Sequence, residues 1–242
     1  MCSSDLYATF SWGQSLFLRD PPTAVLILKS RAWVLFVLGV SLFSFSMYGM
    51  AYFTAPFFIR NHDVPIGELG FTLGGITAAA GFLGVTLTGV LADFWRAHDP
   101  RGRLFTVIVF ALLPIPFGLW MLFTPSTTLA FWLNGVVVFC GAAWLGVGGS
   151  TVTDLVLPRM RGRAAAVYIL TVTLLGLAFG PFTVGLVSDL TGELRNGLMA
   201  ALSGNVGAAI LVAAAAAYLV DDERTLFERA RAAGEVGLTA TN

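Results

Sequence analysis

Six long apolar stretches dominate this sequence, near residues 33–59, 67–95, 104–124, 129–157, 163–190 and 199–220. Each is long enough to cross about 30 Å of hydrocarbon at about 1.5 Å per helical residue. Inside a bilayer the backbone must satisfy its own hydrogen bonds, so stretches of this length are expected as helices. Charged residues make up 12% of the chain, about half the share in a soluble domain, about 25%. The expectation is an all-α integral membrane protein with six transmembrane helices, the longer of which tilt or protrude. The run TAVLIL at 23–28 is too short and too far in for a cleavable signal peptide. We divide the chain into an N-terminal tail and linker at 1–32, a bundle at 33–220 and a charged tail at 221–242. Within the first of these, 22–31 is expected as a short interfacial helix placing Lys29 and Arg31 at the headgroups. The last, opening DDERTLFERARAAGE, is expected to be helical before it frays.

Net charge is zero, which offers nothing to nucleic acid. The distribution of charge is more informative. Twelve of the fourteen Lys and Arg fall at the two chain ends or in the connections 96–103 and 158–163; only Arg60 and Arg195 fall in the other three connections. The positive-inside rule makes the basic side cytoplasmic, with both termini inside, in a plasma (inner) membrane. Trp33, Trp95, Trp120 and Trp132 lie near span ends, as an aromatic belt requires.

One connection concentrates the chemistry: GVLADFWRAHDPRGR, residues 89–103. Asp93 ends an apolar helix, where the helix dipole disfavours an anion, so it needs a cation or another helix start. Arg101 and Arg103 are in reach if the loop folds back, and Arg96 lies beside them. A solvated loop charge is the plain alternative. Gly185 and Asp189 repeat the spacing of Gly89 and Asp93 at an offset of 96 residues. Because the copy lies three spans further on, an odd number, its triplet enters from the opposite side, which makes a 3+3 inverted repeat, a common plan in secondary transporters. Asp154 lies inside the fourth span near its basic end; an intramembrane carboxylate is a candidate for gating or coupling. Its plain alternative is an ion pair with Arg159 or Arg161. Gly176 and Gly180 have GxxxG spacing ahead of Pro181, and Gly185 follows, which predicts close helix packing and a bend. Gly70, Gly74 and Gly75 in the second span read the same way. Ser41, Phe45, Tyr48 and Tyr52 recur at three- and four-residue steps, giving one polar-aromatic face.

Enzyme chemistry finds no footing. His62 and His98 belong to opposite ends, no His/Cys/carboxylate cluster has ligand spacing, and no P-loop or Ser-His-Asp set is present. No cofactor or metal is expected. Cys140 lies mid-span as a small packing residue, and with Cys2 forms no disulfide framework.

The loop GVLADFWRAHDPRGR, with FFIRNHDVPIGELGFTLGG (57–75) and LPRMRGRAAAVYILTVTLLGLAFGPFTVGLVSD (157–189), resembles the major facilitator superfamily and its Spinster-like branch, over about 31–225. Members have twelve spans and this chain has six; a linker before the first span, a charged tail after the last and the similarity of 157–189 to the family's tenth-to-eleventh helix region make the C-terminal six-helix half what it resembles. The resemblance implies secondary-active transport by alternating access, with a missing N-terminal bundle or a second subunit as partner. It implies a small organic, lipid-like amphipathic substrate, and a gate in which Asp93 meets a helix start of the other half. It also makes Tyr48, Tyr52, Asn134, Trp144 and Tyr168 candidate cavity residues; with only one bundle, Tyr48, Asn134 and Tyr168 are expected to face lipid. The alternative is a non-transporting membrane fragment or assembly partner derived from such a transporter, which the opening MCSSDL favours slightly.

Overall fold

The computed structural model describes residues 30–99, 101–156 and 161–232, with the side chains of 220–232 left out. The expected interfacial helix and Arg159 therefore lie outside the described residues, apart from Ser30 and Arg31. Among the described residues the chain is all helix. The six spans are α1 (Arg31–His62), α2 (Ile66–His98), α3 (Gly102–Phe123), α4 (Thr127–Asp154), α5 (Arg161–Thr191) and α6 (Leu194–Ala232, apolar to Leu219). α6 carries the helix past residue 220, so the charged tail begins as its extension. Length and apolarity make this a multi-pass membrane protein.

Local chemistry sets the ends. The Ser30 hydroxyl caps α1 by accepting from the Trp33 N–H at 3.2 Å. Asp63 closes α1 in the left-handed region at φ 52°, and Pro65 opens α2. Within α3 the helix breaks at Leu113, where Pro114 and Pro116 remove donors that the Phe110 and Leu112 carbonyls need. Gly192, at φ 73°, ends α5, with its N–H donating to the Ser188 carbonyl at 2.9 Å. A side chain there would be strained, so the tight turn into α6 depends on glycine.

Two spans contain wide turns. α4 is π-helical over Trp144–Gly148, and α5 over Thr173–Ala178. In α5 the wide turn lies just ahead of Pro181, which has no N–H for the Leu177 carbonyl inside that turn.

The inverted repeat is visible in the packing. α1 packs on α5 and α6; α4 packs on α2 and α3; α2 meets α3, α5 meets α6, and α3 crosses α6. Exchanging α1 with α4, α2 with α5 and α3 with α6 reproduces the same pairs. Burial follows the same rule. Of the most apolar window, 56% and 61% is buried in α1 and α4, 44% and 50% in α3 and α6, and only 17% and 22% in α2 and α5.

The close approaches obey it too. A Cβ on Gly180 would lie 2.5 Å from the Phe45 carbonyl of α1, and one on Gly84 would strike the Phe139 carbonyl of α4. The two glycines stand 96 residues apart. Without Cβ atoms each backbone reaches its neighbour, which is how small residues join helices where the hydrophobic effect is absent. Gly176 fits against Ser44 in the same seam. Gly185 only touches the Phe53 ring at ordinary distance.

The interior holds two apolar clusters. One, toward the arginine-rich end, gathers Trp33, Phe36, Phe43, Val107, Ala143 and Val212; the other, toward the opposite end, gathers Met50, Phe57, Phe58, Met121, Phe131 and Leu198. Cys140 packs in the first cluster, as expected. Trp33 departs from the aromatic-belt expectation. It is 1% exposed, deep in the first cluster, while Trp120 and Trp132 do face outward.

Candidate functional site

The arginine-rich end carries a four-residue charge network. α2 delivers Asp93 and Arg96 from its last turns, α3 delivers Arg103 from its first, and α4 delivers Asp154 as its last residue. Arg103 donates to both acids, to Asp93 at 2.6 Å and to Asp154, while Arg96 donates to Asp154. The loop can fold back so tightly because Gly102 lies against the backbone of Trp95 and Arg96, where a Cβ would have no room. Asp99 helps, accepting from the Arg101 N–H at 2.7 Å. Three helices are thereby tied at one end by charge-assisted bonds.

Burial ranks the members. The Arg103 side chain is 15% exposed, Asp154 31% and Asp93 67%. Arg103 is thus the hub and Asp154 the acid that both arginines share, whereas Asp93, the centre of the sequence reading, is the outlying member. Two expected pairings are corrected. Arg161 does not bind Asp154; its Nε donates to the Thr153 carbonyl at 3.2 Å. Arg101 forms no ion pair with Asp93; Arg103, the second residue of α3, pairs with it instead. Asp189 is exposed and forms no ion pair among the described residues.

The candidate cavity residues scatter. Tyr48 and Trp144 are half-buried and meet edge to face, ring centres 5.7 Å apart. Tyr52 is 59% exposed. Asn134 and Tyr168 are buried inside the bundle, 3% and 7% exposed, so the expectation that they face lipid in a lone bundle is wrong. The π-helical turn explains Tyr168: Gly148, which ends it, has no Cβ, and the Tyr168 hydroxyl fills that place. The face expected along Ser41, Phe45, Tyr48 and Tyr52 likewise runs from inside to outside, since Ser41 is buried and donates to the Val37 carbonyl at 2.7 Å.

What sequence reasoning missed is an open surface. Gly70, Gly74 and Gly75 were expected to pack closely, but a Cβ on any of them would meet nothing; the same holds for Gly67, Gly81 and Gly89. Large apolar side chains stand out beside them, Phe71 at 88% and Phe82 at 72% exposed. Glycines that contact nothing within the chain weaken a helix without return, and their alignment along α2 was legible only as a packing signal without a partner. Among the described residues no group of His, Cys, Asp and Glu has the arrangement of a metal site.

No protein-family model matches the chain. A curated MFS-type efflux pump from Mycolicibacterium smegmatis is 30% identical over 195 residues, 80% of this chain and 44% of that protein. Protein spinster homolog 1 from Xenopus laevis is 34% identical over 121 residues, 48% of this chain and 22% of that one. Protein spinster from Drosophila melanogaster is 26% identical, over 82% of this chain and 37% of that one. The solved structure of a bacterial homolog to the human lysosomal transporter Spinster, inward-facing and unoccupied, aligns with a TM-score of 0.63 at 24% identity, covering 86% of this chain and 50% of that chain. Its occupied counterpart aligns at 0.61. The chain spans less than half the length of these curated relatives and about half of the solved ones. Sequence and fold agree that this chain is a homologue of an MFS-type efflux pump and of Spinster proteins, matched over about half their length or less.

Proposed function

We propose that this chain supplies one six-helix bundle, the C-terminal one, of a secondary-active transporter that moves a small, lipid-like amphipathic molecule by alternating access. The observation that carries the reading is the open face of α2 and α5. These two spans leave about four-fifths of their most apolar window uncovered, and the uncovered glycines of α2 leave room for another backbone. A second six-helix bundle, from another subunit or from further sequence, is the occupant that fits a face of this length. The substrate then sits between the bundles near the midplane, with the half-buried Tyr48–Trp144 pair on this side. That aromatic, uncharged wall suits an amphipathic molecule better than a sugar.

The charge network gives the rocking motion a rigid end. Arg103 and Asp154 tie α2, α3 and α4 together, and the exposed carboxylate of Asp93 keeps acceptor capacity for a helix start in the partner bundle. Asp93 is in this reading a contact between bundles that holds one end shut, while Asp154 keeps its own bundle in shape.

The test is uptake of labelled lysolipid into liposomes, with the chain alone and with a co-expressed N-terminal bundle from a close relative. Saturable uptake is expected only for the pair. Uptake by the lone chain at the rate of the pair defeats the half-transporter reading, and no uptake by either points to a non-transporting assembly partner.

Orientation follows from charge. With twelve basic residues at one end and two at the other, the arginine-rich end is cytoplasmic in a plasma (inner) membrane. Cysteines introduced at 99 and 126 are expected to label from opposite sides of intact cells; labelling of both from outside rules out this topology.

A further inference from the structure

We propose that a recess at the arginine-poor end, beside an arginine that has no acid partner among the described residues where its counterpart at the other end has two, binds a phosphate-type oxyanion. The recess has a volume of about 260 Å³ and is lined by Arg60 and Asn61 from the last turn of α1, by Gly192 and Glu193 of the turn, and by Leu194 and Arg195 opening α6. Arg60 and Arg195 are the two basic residues that the charge asymmetry leaves on this side, and the fold brings both to one recess.

The repeat shows what is missing there. Arg103 is the second residue of α3 and Arg195 the second residue of α6, the exchange partner of α3. The Nε of each is buried without an acceptor. Arg103 is completed by two acids, Asp93 from α2 and Asp154 from α4. The repeat-mate of Asp93 is Asp189, and Arg195 forms no ion pair with it. The repeat-mate of Asp154, 96 positions earlier, is Phe58, which stacks on Phe131 with ring centres 4.3 Å apart. Arg195 is held instead over the Phe123 ring, 5.1 Å from its centre. Its guanidinium is thus fixed in position and half-buried, with no carboxylate at the position where its counterpart has one.

Arg60 adds a second cation, and neither arginine forms an ion pair among the described residues. Glu193 shares the recess and offsets one charge, leaving a net positive site. The start of α6 favours an anion through its dipole, although the Asn196 N–H is already taken by the Glu193 carbonyl at 3.2 Å. Two arginines with a helix start match the several charged oxygens of a phosphate better than a single carboxylate. The volume accommodates a phosphate free in solution or one carried on a lipid headgroup.

The experiment uses the full chain in neutral detergent. One arm titrates inorganic phosphate against chloride at constant ionic strength and reads thermal stabilisation. The other exposes the chain to phosphatidylglycerol or phosphatidylcholine and reads retained lipid by native mass spectrometry. Saturable binding in the phosphate arm assigns a free anion, and preferential retention of phosphatidylglycerol assigns a headgroup. Either must weaken about tenfold in Arg60→Gln, whose exposed position leaves the fold intact, and in Arg195→Gln, while Arg195→Lys recovers part of it. No saturable binding in both arms, or binding unchanged in both Gln variants, overturns the proposal.

Discussion

Asp154→Asn is expected to destabilise the bundle by about 2 kcal/mol, more than Asp93→Asn, which is expected to lose about 0.5–1 kcal/mol. The order follows from shielding rather than from distance. Asp154 is two-thirds shielded and accepts from both Arg96 and Arg103, so neutralising it removes two charge-assisted bonds. It also leaves two guanidinium groups side by side without their shared anion. Asp93 is mostly in solvent, where the screened pair with Arg103 is worth little. Thermal unfolding of the purified chain in detergent measures both. Equal midpoints for the two variants, or a larger loss for Asp93→Asn, contradict the ranking. In a complete transporter the positions separate further. Asp93→Asn is expected to raise reactivity of cysteines lining the arginine-rich mouth, because it frees a contact between bundles, whereas Asp154→Asn acts mainly through stability.

The other large effect belongs to glycine. Gly180→Leu is expected to cost about 4 kcal/mol or more, enough to prevent normal assembly of the bundle. Its Cβ alone would lie 2.5 Å from the Phe45 carbonyl and 3.1 Å from the Gly49 nitrogen, both backbone atoms that cannot step aside. α5 would have to leave α1, opening the seam that Gly176 also uses. Gly70→Leu is the informative comparison. Nothing lies within 4 Å of that Cβ, so the lone chain should change by about 0.5 kcal/mol or less. If a second bundle docks on α2, the same substitution should block co-purification of the pair. A Gly70→Leu chain that still captures the partner bundle in full places docking on another face. A Gly180→Leu chain with unchanged thermal stability refutes the packing described for α1 and α5.

The fold was legible because its signals are long and chemically simple. Twenty or more apolar residues in a row specify a span, and arginines at 96–103 and 158–163 mark which spans turn together. Even the repeat could be seen from Gly89 and Asp93 against Gly185 and Asp189. The site was less legible, because its bonds join distant parts of the chain. Asp154 lies 58 residues from Arg96, and Arg161 is far nearer in sequence, yet the crossing of α2 by α4 brings Arg96 and not Arg161 to the carboxylate. Depth within the bundle was hidden as well. Asn134, Tyr168 and Trp33 are polar or amphipathic, and sequence spacing does not show that Gly148 admits the Tyr168 ring or that Ser30 and the first turn of α1 fold Trp33 inward. Spacing suggested close packing at Gly70, Gly74 and Gly75, but could not show that nothing among the described residues packs against them.

The wide turn in α5 sets the register between the two ends of that helix. A π-helical turn holds one residue more than an α-helical turn, so shifting that residue out changes the register of everything beyond it by one position, about 100° around the axis. Thr173–Ala178 lies between the Arg161 end and the Asp189 end of the span. The hydrogen bonds near Pro181 are already incomplete, which lowers the cost of the slip. Such a slip would carry Gly180 off the Phe45 carbonyl, where no other residue has room, so the seam with α1 holds the extra residue in place and fixes the direction in which the Asp189 end faces.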